Sequence, residues 1–238
     1  IQDRLDALKA RVFIYGSQNQ ASANIETTSE NLAEVIDLVA EMFKSPSFSE
    51  DEFNKMKEEE LSFLEEQLSE PMALAQRRMM KLLNDYPKTD ARYMMSMEEE
   101  IASIEETELD QLLAFHKENY GASEATVSIV GDFDESEIKA KIDEHFGSWD
   151  SPAKYQRLGN PYMKNKPANE DIETPDKANS MFFAGMNLPI GDSHEDYAAL
   201  VIGNYMLGGG FLNSRLATRI RQKDGLSYGV GSFLSGSS

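Results

Sequence analysis

No cysteine occurs among the 238 residues, so disulfides, thiolate nucleophiles and zinc–thiolate centres are all excluded. A cysteine-free chain suits cytosol and periplasm alike. If the source is bacterial the compartment is one of those two, with a lean toward the periplasm. Long apolar runs are also missing, and none approaches the length of a membrane span. Histidine is scarce: His116, His145 and His194 lie far apart and form neither H-x-x-E-H nor its reverse. The nearest approach, Lys141-Ile142-Asp143-Glu144-His145, has lysine where a ligand imidazole would be needed, and an ammonium cannot coordinate a metal. His145 reads instead as a helix-end histidine, and no metal site is expected in this chain. A G-x-S-x-G nucleophile elbow is absent too.

Positive charge is short in the first part of the chain. Residues 1–150 hold 34 acids against 14 bases, within a formal net charge of −19. Such a surface repels phosphate backbones and excludes nucleic acid as a partner. From Asn204 onward the balance reverses. Asp224 is the sole acid there, against Arg215, Arg219, Arg221 and Lys223.

Taken in order, the chain opens inside a helix and ends in a glycine/serine run, which suggests a piece of a longer polypeptide. Residues 11–15 and 21–27 read as strands. A helix follows with Leu32, Val35, Ile36, Val39 and Met42/Phe43 at helical period. Ser49 and Glu52 form a capping box ahead of a long acidic helix with a Phe53–Met56–Leu61–Leu64–Leu68 stripe. Pro71 joins it to a helix whose methionines 72, 79 and 80 are expected in the core. Further helices are expected after Thr107 and after Asp134, with a strand at 125–130 between them and Trp149 folding back onto a sheet. Residues 150–178 hold four of the eight prolines and show no period, so they read as a linker between two domains. A strand at 180–186 and a helix capped by Ser193 then lead to residues 207–232, LGGGFLNSRLATRIRQKDGLSYGVGS. The expected class is α+β: two similar domains, 1–149 and 179–238, each an antiparallel sheet with helices on one face, the second incomplete.

Residues 207–232 carry the chemistry. Gly208-Gly209-Gly210 precedes a helix, as in a phosphate cradle, but it follows a helix and lacks the Lys-Ser/Thr ending. Arg221 is expected at the end of a short helix capped by Asn213 or Ser214 and closed by positive-φ Gly225. Tyr228 is expected in the strand that turns back beside it. Two such donors suit a carbonyl oxygen acquiring negative charge. Gly229 and Gly231 would leave room for an extended peptide. Spacing alone favours the plainer reading, an arginine at a helix end and a tyrosine packed in a sheet.

This run resembles the second half of the pitrilysin/insulinase zinc metallopeptidases, the inverzincins. So do the stretches ENLAEVIDLVAEMFKSPSF and HKENYGASEATVSIVGDFD, the acidic helix ending at Ser69-Glu70-Pro71, and HFGSW. The resemblance implies a clamshell of two halves closing on a peptide substrate, with zinc bound by H-x-x-E-H in the N-terminal half. It implies that Arg221 and Tyr228 hold the substrate carbonyl, and that Gly208, Gly209, Gly210 and Gly229 contact the peptide. Phe63 falls near the place of a catalytic half's third zinc ligand. The chain therefore resembles the non-zinc half, inactive by itself, whose partner is the zinc-binding half or a separate subunit. A non-catalytic scaffold of the same fold is the alternative.

Overall fold

The structure, a computed structural model, describes residues 1–17 and 19–236. Contacts divide the chain into two compact units, Ile1–Leu158 with Ala168–Ala184, and Gly159–Pro167 with Gly185 onward. The proline-rich stretch expected as a linker is thus shared between them.

The core of the first unit forms around a helix–hairpin–helix start. α1 (Gln2–Ala7) leads into β1 (Arg11–Ser17), which pairs antiparallel with β2 (Gln20–Glu26) from Arg11↔Glu26 to Ser17↔Gln20. A 3₁₀ turn at Ser29–Asn31 opens α2 (Leu32–Lys44). Leu5, Leu8 and Ala10 pack on Val35, Leu38 and Val39, with Val12, Ala23, Met42 and Phe43 against them. Leu38 and Ala40, outside the expected stripe, are buried with Val35, Ile36 and Val39. The stripe is wider than the simple period because α2 packs on the start of the chain and also on α7 (Glu135–Phe146). Fully burying Leu38 contributes about 1.5–3 kcal/mol.

Capping residues set most of the remaining helix starts. α3 (Glu50–Gln67) begins where the Glu52 amide donates to Ser49 Oγ at 3.5 Å, half of the expected box. Pro71 occupies the first turn of α4 (Pro71–Leu83), where its missing N–H costs nothing. α5 (Met97–Glu106) is absent from the expected elements, although its signal is in the sequence: Ser96 and Glu99 form a complete reciprocal capping box. α6 (Leu109–Asn119) starts from a Glu108–Gln111 box rather than from Thr107. Asp134 caps α7 as expected, its carboxylate accepting from the Glu137 amide at 2.9 Å.

Several expectations are corrected. Met72 and Met80 are exposed and α4 buries no residue, so these methionines coat a half-solvated helix rather than fill a core. Met56 is 67% exposed, leaving Leu64 as the buried residue of α3. Trp149 folds back on helices, not a sheet. Its carbonyl accepts from the Ala122 amide at 2.6 Å, and its ring lies 6.2 Å from Phe146 and 5.9 Å from Lys44 Nζ.

The class is α+β, and β1–β2 is the one sheet among the described residues. The expected strands at 125–130 and 180–186 form no ladder there. Val130 and Phe182 are 97% and 88% exposed, so these segments have strand composition without a strand partner. No helix among the described residues is long and apolar enough to cross a membrane.

α2 and α7 are also joined by charge. Asp37 accepts from Lys141 Nζ at 2.9 Å and pairs with His145 Nε2 at 2.6 Å, while Lys44 Nζ donates to the His145 carbonyl at 2.8 Å. His145 is a helix-end histidine as expected, and the lysine that spoils the metal motif is an interhelical ion-pair residue. Burial works to raise the Asp37 carboxyl, but the hydrogen bonds from His145 and Lys141 outweigh it and hold it below its ordinary range.

Candidate functional site: the glycine–arginine–tyrosine turn

The second unit places residues 204–232 in one continuous turn. His194 Nδ1 accepts from the Asp196 amide at 3.1 Å just before α8 (Tyr197–Asn204). The helix therefore starts after Asp196, three residues beyond the expected Ser193 cap. It runs on as a π-helical turn, Tyr205–Gly209, and the Gly210 amide donates to the Tyr205 carbonyl at 2.8 Å.

Gly208 is needed for a close approach of two backbones. A Cβ there would lie 2.5 Å from the Ser232 amide nitrogen and 2.9 Å from the Gly231 carbonyl carbon. Two bonds hold that approach: Asn204 Nδ2 donates to the Ser232 carbonyl at 3.3 Å, and Ser232 Oγ donates to the Asn204 carbonyl at 3.4 Å. Sequence reasoning misses this Asn204–Ser232 clasp. Its only signal in the sequence is a pair of glycines, Gly208 and Gly231, at the two ends of the run.

The basic helix is set by Ser214, which is fully buried. Its hydroxyl donates to the Phe211 carbonyl at 2.8 Å and accepts from the Ala217 amide at 3.2 Å, so Ser214 is the cap and Asn213 is not. The helix continues as a π-helical segment, Ala217–Lys223. Gly225, at φ +64°, ends it, and the Leu226 amide returns to the Ile220 carbonyl at 3.0 Å. A side chain at that φ would be strained, so glycine is the residue that reverses the chain there.

This reversal brings Arg221 and Tyr228 together. The guanidinium carbon lies 4.6 Å from the centre of the Tyr228 ring, a stacked cation–π contact worth about 0.5–1 kcal/mol at an exposed site. The contact is with the face of the Tyr228 ring, and the guanidinium N–H groups and the phenol O–H are the polar groups of the pair. Among the described residues no hydrogen bond or ion pair engages either polar group. Arg219 pairs with Asp224 at 2.9 Å and so neutralises the only acid of this region, leaving Arg221 uncompensated. Tyr228 is 87% exposed. Around Gly229 there is open space, with nothing within 4 Å of a Cβ built there. The expected strand carries no ladder, and the Gly229 carbonyl accepts instead from the Ser227 hydroxyl at 2.6 Å. The arrangement presents a planar cation and a phenol donor beside an accessible backbone, which suits recognition of a carbonyl or carboxylate.

The donor set does not fit a zinc ion. No group of three or more His, Asp or Glu among the described residues is arranged to hold a metal. Each histidine is engaged separately: His116 Nε2 with the Phe43 carbonyl at 2.8 Å, His145 with Asp37, His194 with the Asp196 amide. Phe63, expected near the place of a catalytic half's third zinc ligand, is an exposed aromatic on α3.

Residues 107–238 match the family described as the peptidase M16 inactive domain. The chain is 25% identical to the "Uncharacterized zinc protease YmxG" of Bacillus subtilis, over 99% of this chain and 55% of that protein. It is likewise 25% identical to the "Non-peptidase homolog YmxG" of Helicobacter pylori, over 90% of this chain and 50% of that one. The crystal structure of a peptidase M16 inactive domain from Pseudomonas fluorescens superposes with a TM-score of 0.73 at 26% identity, covering 99% of this chain and 56% of that one. The chain spans about half the length of the curated relatives it matches. The family expected from the glycine–arginine–tyrosine run is thereby borne out: this chain belongs to the M16 peptidases, through their inactive domain.

Proposed function

We propose that this chain is the metal-free half of a two-halved M16 metallopeptidase, in which Arg221 and Tyr228 bind and polarise the carbonyl of a bound peptide. Its two units correspond, in this reading, to two α+β domains of one clamshell half. The single observation that carries the proposal is the Arg221–Tyr228 contact, whose polar groups no hydrogen bond or ion pair engages among the described residues, with open space around a Cβ at Gly229. Gly229 leaves room for an extended peptide backbone. Gly208, Gly209 and Gly210 shape the wall, Gly208 by permitting the approach of Ser232. As the carbonyl oxygen gains negative charge, the phenol O–H and a guanidinium N–H donate to it, and the uncompensated Arg221 charge strengthens both bonds. Zinc, bound by H-x-x-E-H, would belong to the other half.

A second reading is favoured by the names of relatives, one a "Non-peptidase homolog" and another of Bacillus subtilis a "Probable inactive metalloprotease". There the same face holds a peptide or partner segment without cleaving it.

The test is peptide turnover by the full-length protein assembled with its other half. Tyr228→Phe should lower kcat/KM by ~10²–10³, the loss of one oxyanion donor. Unchanged turnover removes Tyr228 from the mechanism. A wild-type assembly that binds peptide through Tyr228 yet never cleaves it supports the second reading.

A further inference from the structure

A second surface in the first unit has the chemistry of a docking site. Between the start of α3, the end of α5 and the start of α6 lies an open cavity of about 380 Å³. Its floor is apolar, made by Phe48, Phe53, Met56, Ile104, Leu109 and Leu112. Met56 at 67% and Leu112 at 38% remain exposed.

The lining itself holds one carboxylate, Glu52, and one ammonium, Lys57. Lys57, the only cation in the lining, is already committed, its Nζ donating to the carbonyls of Glu105 and Thr107 at 2.8 Å each. Those bonds satisfy carbonyls that the end of α5 would otherwise leave open. The exposed residues next in sequence to the lining are acidic: Glu50 and Asp51 beside Glu52 at the start of α3, then Glu105, Glu106 and Glu108 beside Ile104, Thr107 and Leu109. Among the described residues no ion pair neutralises any of these six.

The geometry points to this groove as a docking site for a basic amphipathic helix of a partner protein, its apolar face on the floor and its lysines or arginines against the rim. An apolar strip flanked by carboxylates that lack a counter-charge complements that pattern on both counts. A neutral small molecule would leave the rim unused. A second copy of this chain would bring a net charge of −19 against an acidic rim. This inference is independent of the reading of Arg221 and Tyr228.

The probe is a fluorescein-labelled helical peptide with leucines at positions i, i+3, i+4 and i+7 and lysines on both flanks, read by anisotropy against the full chain. A twin with glutamates in place of the lysines is the control. The lysine probe should bind, more weakly as salt is raised, and the glutamate twin should not. Met56→Glu places a charge on the floor at an already exposed position and should weaken binding about tenfold or more, with unchanged circular dichroism. Glu52→Lys should weaken it through charge alone. Equal binding of the two peptides, or an unchanged Kd in Met56→Glu, overturns the proposal. So does sedimentation showing a dimer that Met56→Glu dissolves, since the groove would then serve self-association.

Discussion

Replacing Gly208 by alanine tests whether the close approach at Ser232 holds the turn together. Two effects oppose each other. Gly208 lies in a helical turn, where alanine is favoured over glycine by up to about 1 kcal/mol. Against this, the new methyl would meet the Ser232 nitrogen and Oγ, each at 2.5 Å, and the Gly231 carbonyl carbon at 2.9 Å. The hydroxyl can rotate away but the backbone cannot, so relief requires moving the 231–232 segment and opening the Asn204–Ser232 clasp. Overpacking of this kind costs about 1–3 kcal/mol. The clash therefore wins, by up to about 2 kcal/mol after the full propensity gain. Hydrogen exchange followed by mass spectrometry reads this locally. Protection of the amides at 205–210 should fall, by up to about 30-fold, while the α2 amides keep theirs. Gly229→Ala is the matched control, because nothing lies within 4 Å of its Cβ. It should leave protection unchanged, or raise it slightly by narrowing the unfolded ensemble. Equal effects at Gly208 and Gly229, or full protection in Gly208→Ala, would refute the reasoning.

The remaining predictions concern the first unit. Glu99 accepts from Lys88, from the Ser96 amide and from the Tyr93 hydroxyl, which together lower its carboxyl to about 2. A carboxyl lowered on folding stabilises the folded state above its unfolded value of about 4.3, and that contribution is lost as pH falls through about 2. A carbon-13 titration of Glu99 should show its midpoint near 2, and Lys88→Ala should raise it; a wild-type midpoint near 4.3 contradicts the assignment. Asp37→Asn removes the charge that Lys141 and His145 share. Because Asp37 is 38% exposed, the loss is screened to about 1 kcal/mol, measured by urea unfolding with Trp149 fluorescence. No change in the midpoint would show that solvent replaces the carboxylate.

Much of the candidate site is legible in the residues themselves. The Ser214 cap, the positive φ of Gly225 and the meeting of Arg221 with Tyr228 all follow from local backbone chemistry: a hydroxyl before a helix, a glycine after it, a reversed chain. The α2 core positions Val35, Ile36 and Val39, and the Asp134 cap, are readable for the same reason. The complete Ser96–Glu99 box is equally local, but the acidic residues around it mask the signal. Distant approaches are not readable in this way: Ser232 onto Gly208, Lys141 and His145 onto Asp37, Trp149 onto Lys44 of α2.

The strands divide the two kinds of information most clearly. By itself the sequence determined the family, the starts of α3, α4 and α7 and the strand-like composition of 125–130 and 180–186. Only the tertiary structure decided that the 11–17 and 20–26 segments pair while those two do not. It also decided that Met72 and Met80 of α4 are exposed, and that the acidic helix borders an apolar groove. Propensity and capping act through neighbours in sequence, so composition records them. A strand exists only by the hydrogen bonds of another segment, and burial only by another surface, and neither partner is written in the residues that need it.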